Sequence, residues 1–493
     1  MNIQEAKEEI KKTVRAYTAR TDGGSLRIPM KRQRPLLLIG PPGIGKTAIM
    51  EQVARECSVG LLSYTMTHHT RQSAVGLPVL EQREYDGKSY TVTSYTMSEI
   101  IAAVYEQMEQ SGCREGILFL DEINCVSETL MPAMLQFLQY KTFGSHRLPE
   151  GWVIASAGNP PAYNRSVREF DTVTLDRVRR MEVEPDLRVW KEYAAKRGLH
   201  PAVLSFLELR PERFYVMEPG HAGFVTGRAW EDLSEILLTM EELELGVEET
   251  LFGQYLQEEE TALEFAFYYR VYEKWKRQLE PDQILAGGHA SDDGTLLLPD
   301  LPFDERLCIV WLLLQRLLSM GTVLEEQQKL SDSLGFFTES LPASRELQTV
   351  IKERLASRQK GLQVRKENGL LSSEEEEREK RLARIIRACA EKLRLGGGMS
   401  VFTDRSREEA QRTREQQERL ASGMEHVSAF IRETFGDGQE LTVLLTGFTE
   451  HPVCRELMKR ECPELWQEAG RQLDVEGREE ELRRKLQNHA REE

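Results

Sequence analysis

Cysteine is scarce: the chain of 493 residues has seven, at Cys57, Cys113, Cys125, Cys308, Cys389, Cys454 and Cys462. None forms a CxxC pair and none has a histidine at ligand spacing. A disulfide framework and a zinc ribbon are excluded, and reduced thiols in a cytoplasmic protein are expected. Long apolar runs are missing too. No window approaches the roughly eighteen uninterrupted apolar residues of a membrane helix, so no membrane span is expected. The opening Met1-Asn2-Ile3-Gln4-Glu5-Ala6-Lys7-Glu8 reads as a charged helix rather than a signal peptide. Nor is there an excess of positive charge: 65 Lys and Arg stand against 81 Asp and Glu, for a formal net charge of −16. That sign argues against sequence-independent wrapping of DNA or RNA, which phosphate neutralisation drives, though not against a local basic channel.

Apolar residues at 40% and charged residues at 30% describe a soluble, helix-rich chain. It is too long for one core, so about two or three domains are expected. Residues 1–184 alternate short apolar runs with amphipathic stretches, the βαβ rhythm of an α/β fold with a parallel sheet. Candidate strands are 35–39, 60–65, 116–120, 153–157 and 178–183, each short and bounded by Gly, Pro or charge. Residues 185–335 read as a helical lid and its extension, with helices at 190–197 and 201–209 and a strongly apolar one at 307–320. Within it, 241–260 holds eight acidic residues and no Lys or Arg, and is expected to be a solvated face. The Gly/Asp/Pro-rich 286–302 reads as a loop. Residues 336–493 form an all-α extension rich in Glu, Lys, Arg, Gln and Leu, coiled-coil-like but without a succession of clean heptads. Its helix opening at Glu374 is broken at Gly396-Gly397-Gly398 and resumes across 405–420.

The strongest motif follows the first strand. Gly40-Pro41-Pro42-Gly43-Ile44-Gly45-Lys46-Thr47 fits G-x-x-x-x-G-K-[ST], with Leu36-Leu37-Leu38-Ile39 before it and a helical run from Ala48 after it. Glycines let successive backbone N–H groups converge on phosphates, and a helix N-terminus adds its positive end. Lys46 supplies a point charge and the Thr47 hydroxyl a Mg²⁺ ligand, so ATP with Mg²⁺ is the expected cofactor. A second strand, Gly116-Ile117-Leu118-Phe119-Leu120, ends in Asp121-Glu122. Asp121 is placed to hold Mg²⁺ and Glu122 to orient and deprotonate a water. A third, Trp152-Val153-Ile154-Ala155-Ser156-Ala157-Gly158, ends in Asn159, whose amide can hold a water or phosphate without adding charge.

These motifs together resemble the AAA+ ATPases, and more narrowly the MoxR-like, helix-2-insert branch. Residues 40–47 are similar to its Walker A, 118–122 to its Walker B and 155–160 to its first sensor strand. Thr174-Leu175-Asp176-Arg177-Val178-Arg179-Arg180 is similar to the Leu-Asp-Arg-Phe segment ending the family's core, with Val178 in place of Phe. The resemblance implies an arginine finger at Arg177, with Arg180 second. Thr226-Gly227-Arg228-Ala229-Trp230 resembles the start of the sensor-2 helix, which implies that Arg228 reaches the phosphates. Residues 75–95 look like the helix-2 insertion and 143–152 like the hairpin before sensor 1. The likeness covers residues 1 to about 320. It implies a homo-oligomeric, hexameric ring whose sites are completed by a neighbour's arginine, acting as a chaperone-like remodeller. It also implies pairing with a von Willebrand factor A-domain protein.

Blander readings stand beside these. His68-His69 face apart on any regular element and read as surface. Arg165, Arg168, Arg177, Arg179 and Arg180 make one basic concentration at a candidate subunit seam. Tyr268, Tyr269, Tyr272 and Trp275 share helix faces and read as lid core. Two further functions compete with the remodeller. One is a nucleic-acid motor or restriction-type NTPase, for which Arg71, Arg83, Lys88, Lys141 and Arg147 are the candidate pore cations. The other is a nucleotide-gated scaffold, which the water-activating Glu122 argues against.

Overall fold

The computed structural model describes residues 1–68, 76–163, 170–217, 223–288, 298–342, 347–367 and 373–472, together with Val167 and Leu371. The expectations attached to His69, Arg71, Val75, Arg165, Arg168 and 289–294 lie outside the described residues. A five-stranded sheet of β1 (Leu36–Ile39), β2 (Gly60–Thr65), β5 (Gly116–Asp121), β8 (Trp152–Gly158) and β9 (Arg179–Glu182) organises the first part of the chain. The spatial order is β2-β5-β8-β1-β9 and every pairing is parallel. Two hairpins lie outside it, β3 (Pro78–Tyr85) with β4 (Lys88–Tyr95) and β6 (Thr142–Phe143) with β7 (His146–Arg147).

Strand residues alternate between two faces, and both faces are covered. Leu37, Leu118, Leu120 and Ile154 pack with Ile100, Ile101, Val104 and Phe137 on one side. Leu36, Leu38, Ile117, Phe119, Ala155 and Ala157 pack with Ala6, Ile10, Val14, Ile49, Met50 and Val53 on the other. A Cβ at Gly116 would lie 2.7 Å from the Trp152 ring, so the indole fills the space a side chain would take. The fold is the αβα layering of a P-loop NTPase, followed by helices.

In the helical region that follows the sheet, expected as the lid, Phe265 makes edge-to-face contacts with Phe206, Trp230 and Phe252 at centroid distances of 5.2–5.3 Å. Tyr268, Tyr269, Tyr272 and Trp275 are buried there, as core residues. The acidic stretch departs from a purely solvated face. Glu241 accepts from His200 Nε2 at 2.8 Å and pairs with Lys276 at 2.7 Å. Glu258 is buried and caps the helix Glu259–Gln278 through the amides of Glu260 and Thr261.

The apolar stretch at 307–320 belongs to a longer helix, Phe303–Glu339. By length and composition it could cross a bilayer, with a hydropathy of 1.8 over its most apolar window, yet 61% of that window is buried inside the protein. Its first half joins the same hydrophobic core as the lid helices and as residues of the helices Ser400–Phe435, Gln439–Glu450 and Pro452–Glu461. Its second half closes a smaller core with Ile351, Leu382, Ile386 and Phe402.

Candidate nucleotide site

The C-terminal ends of β1, β5 and β8 lie side by side, where parallel α/β sheets bind ligands. The loop after β1 carries residues 40–45 and leads into the helix Lys46–Cys57. Its N-cap, Gly45, sits at φ 91°, a conformation glycine adopts without strain, and no side chain caps the helix. The amide groups of the first turn are thus left for an anion. Ala48 is half-buried in that turn and Ile44 packs toward the core.

Lys46 is 8% exposed. Its Nζ donates to the carbonyls of Gly40 and Pro41, each at 2.8 Å, and to Asn159 Oδ1 at 3.0 Å. Burial pushes the ammonium down to about 8; the Asp121 carboxylate opposes this, the Arg228 guanidinium adds to it and Glu122 opposes it. Thr47 Oγ1 donates to Asp121 Oδ2 at 2.9 Å, joining the two candidate Mg²⁺ ligands directly. Glu122 is half-buried, and at φ 55°, ψ 37° it occupies the left-handed region, a local strain at the strand end.

Residues 36–175 match the family model described as ATPase family associated with various cellular activities (AAA). Over that stretch the chain is similar to the AAA ATPases; the match covers less than half of the chain. A stretch of 227 residues is 27% identical to Lon protease 2 of Sorangium cellulosum (strain So ce56), covering 43% of this chain. The match takes in 25% of that relative, so the chain spans well under two thirds of its length. The family match covers the Gly40–Thr47 loop, Asp121, Glu122 and Asn159, the residues of the candidate nucleotide site.

The helical region that follows the sheet meets the Gly40–Thr47 loop. Tyr215 donates its hydroxyl to the Pro42 carbonyl at 2.9 Å. Gly43, at φ 73°, is so close to Thr226 that a Cβ there would lie 2.7 Å from the threonine Cβ. Thr226 caps the helix Gly227–Glu242, whose first turn carries the exposed Arg228. Tyr215 and Asn124 carry no motif signal of their own and have no role assigned in the sequence, and Thr226 reads there only as part of the sensor-2 resemblance; each lies far along the chain from the group it touches.

The candidate seam arginines separate. Arg179 turns back on the helix Ile3–Thr18, pairing with Glu9 at 2.5 Å and donating to Thr13. Arg180 lies on the edge strand β9 and pairs with Glu182 at 2.5 Å. Arg177 is exposed on the turn after the helix Thr172–Leu175. Lys141, a candidate pore cation, is inside: it is 3% exposed, and its Nζ donates to the carbonyls of Met30 at 2.8 Å and Gln33 at 2.9 Å. Arg83, on the exposed hairpin, pairs with Glu81.

Proposed function

We propose that this chain is one subunit of a Mg²⁺-dependent, ATP-hydrolysing ring, hexameric and MoxR-like, that remodels or activates a protein partner. The observation that carries the reading is the seating of the lid on the phosphate loop, through Tyr215 on Pro42, Thr226 on Gly43 and the charge of Arg228 felt at Lys46. A site shared between domain and lid converts nucleotide state into lid position, which a remodeller needs and a passive nucleotide store does not. The likeness to a protein named a protease supports a protein client. The burial of Lys141 takes one cation from the nucleic-acid motor. None of the seven cysteines forms a disulfide, which accords with a cytoplasmic setting.

In this reading residues 40–48 hold the ATP phosphates, with Lys46 as the point charge and the uncapped helix amides as donors. Among the described residues no group of three or more His, Cys, Asp or Glu could hold a metal ion. Mg²⁺ would therefore rest on Thr47, Asp121, water and the phosphates, which suits a cation that keeps much of its hydration. Bound there, it would supply charge neutralisation across the phosphates. Glu122 takes a proton from the attacking water, Asn159 orients that water, and Arg228 answers phosphate charge from the lid. Arg177 of a neighbouring subunit completes the site, with Arg180 as the second candidate. A von Willebrand factor A-domain protein is the proposed partner.

The test is native particle mass with and without ATP and Mg²⁺, alongside turnover against protein concentration for wild type and Glu122→Gln. A ring mass with cooperative turnover, and a loss of at least about 10²-fold in Glu122→Gln with ATP binding kept, is expected for removal of a general base. A monomer with concentration-independent turnover removes the seam, and normal turnover in Glu122→Gln removes the assigned base.

A further inference from the structure

We infer that Asn124 is a positioning residue for hydrolysis, fixing Asn159 relative to Glu122; the inference rests on the proposed ATPase reading. Asn124 is 2% exposed, in the short turn Ile123–Cys125 that follows Glu122. Its Nδ2 donates to the backbone carbonyl of Asn159 at 2.8 Å. Because a carbonyl is acceptor-only, the amide orientation is settled by this contact: the oxygen placed there would face another oxygen. The other amide atom, Oδ1, is buried with no hydrogen-bond partner among the described residues, a cost that the turn tolerates. Oδ1 instead lies against Gly158, where a Cβ would come within 2.5 Å of it. Asn124 therefore occupies the space that any other residue at position 158 would need, and grips the main chain at the next residue.

The consequence is a continuous connection from the water-activating carboxylate to the phosphate-loop lysine. Glu122 is two residues from Asn124, Asn124 holds the Asn159 backbone, and Asn159 Oδ1 accepts from Lys46 Nζ. The tie spans 35 residues of sequence and joins the ends of β5 and β8 just where Glu122 leaves ordinary backbone geometry. Strand pairing alone cannot do this, since the β5–β8 register ends at Leu120 and Ser156. Beyond those residues, Asn124 sets the relative position of Glu122 and Asn159.

The experiment compares Asn124→Ala and Asn124→Asp with wild type and Glu122→Gln, measuring kcat, KM for ATP and affinity for a fluorescent ATP analogue. Asp matches Asn in size but, ionised, accepts only; Ala removes the donor without opposing the carbonyl. The expected result is a kcat loss approaching 10²-fold, the scale of a small misplacement of catalytic groups. KM and analogue affinity should stay within about 2-fold, and Asp should be worse than Ala. A space-filling role predicts the reverse order, Asp milder than Ala, and that order overturns the inference. So does a parallel loss of kcat and analogue affinity, which marks general support of the fold. Should Asn124→Asp fail to fold, Gly158→Ala, which crowds Oδ1 while keeping the donor, should give the same kcat-selective loss; unchanged kcat there overturns the inference. If Glu122→Gln is inactive while the Asn124 variants turn over normally, the inference fails and the ATPase reading stands. If Glu122→Gln turns over normally, that reading falls first.

Discussion

Lys141 ends the helix Met131–Tyr140 in the left-handed region, at φ 58°, and sends its ammonium inward to two carbonyls. Burial alone pushes it from 10.5 down to about 8. Since the folded value is the lower one, between about pH 8 and 10.5 the unfolded chain binds a proton that the folded chain has lost. Stability therefore rises with pH through that window, and below it the folded protein carries the full cost of a buried charge. Lys141→Met has no such group. The stability of wild type relative to Lys141→Met should increase from about pH 7.5 to about pH 10, read as the difference in denaturation midpoints. A difference that does not change with pH would contradict the burial argument. The same residue marks where sequence reading stops. Lys46, Asp121 and Asn159 are legible because each sits at a fixed offset from a strand end within a short motif. Lys141 reaches Met30 across 111 residues, and nothing in its neighbourhood distinguishes a buried cation from an exposed one.

At the scale of elements, the five sheet strands fall within one residue of their expected limits at either end. Parallel strands buried on both faces are short apolar runs cut off by Gly, Pro or charge, and that punctuation is local. The seating of the lid is not local. Tyr215 lies 173 residues from Pro42, in a segment with no helix or strand periodicity, and its role follows from where the lid folds back. Tyr215→Phe keeps the ring and removes the hydroxyl that Pro42 accepts from. A neutral hydrogen bond contributes about 1 kcal/mol, so nucleotide should dissociate about 5-fold faster from the variant, measured by stopped-flow displacement of a fluorescent analogue. An unchanged rate would mean that this contact does not hold the lid over the loop.

For the whole molecule, the decisive element is the helix Phe303–Glu339, roughly 55 Å long at 1.5 Å per residue. Two of its leucines dock on glycines of different C-terminal helices. A Cβ at Gly447 would lie 2.3 Å from Leu314, and one at Gly423 would lie 3.0 Å from Leu317. Those leucines also belong to the core that holds Phe206, Trp230 and Phe265 of the lid. Amphipathic periodicity identifies each helix but not its neighbour, because partner choice depends on which small residues open a notch for which large ones. The lid and the helices beyond residue 400 that share this core should consequently respond to nucleotide as one body. Leu314→Ala, at a fully buried position, should cost about 2–5 kcal/mol. Hydrogen exchange should then speed up in both Glu259–Gln278 and Gln439–Glu450, although these helices are far apart in sequence. Faster exchange confined to Gln439–Glu450 would show two separately stable units, and nucleotide-driven motion of the lid would then leave the C-terminal helices behind.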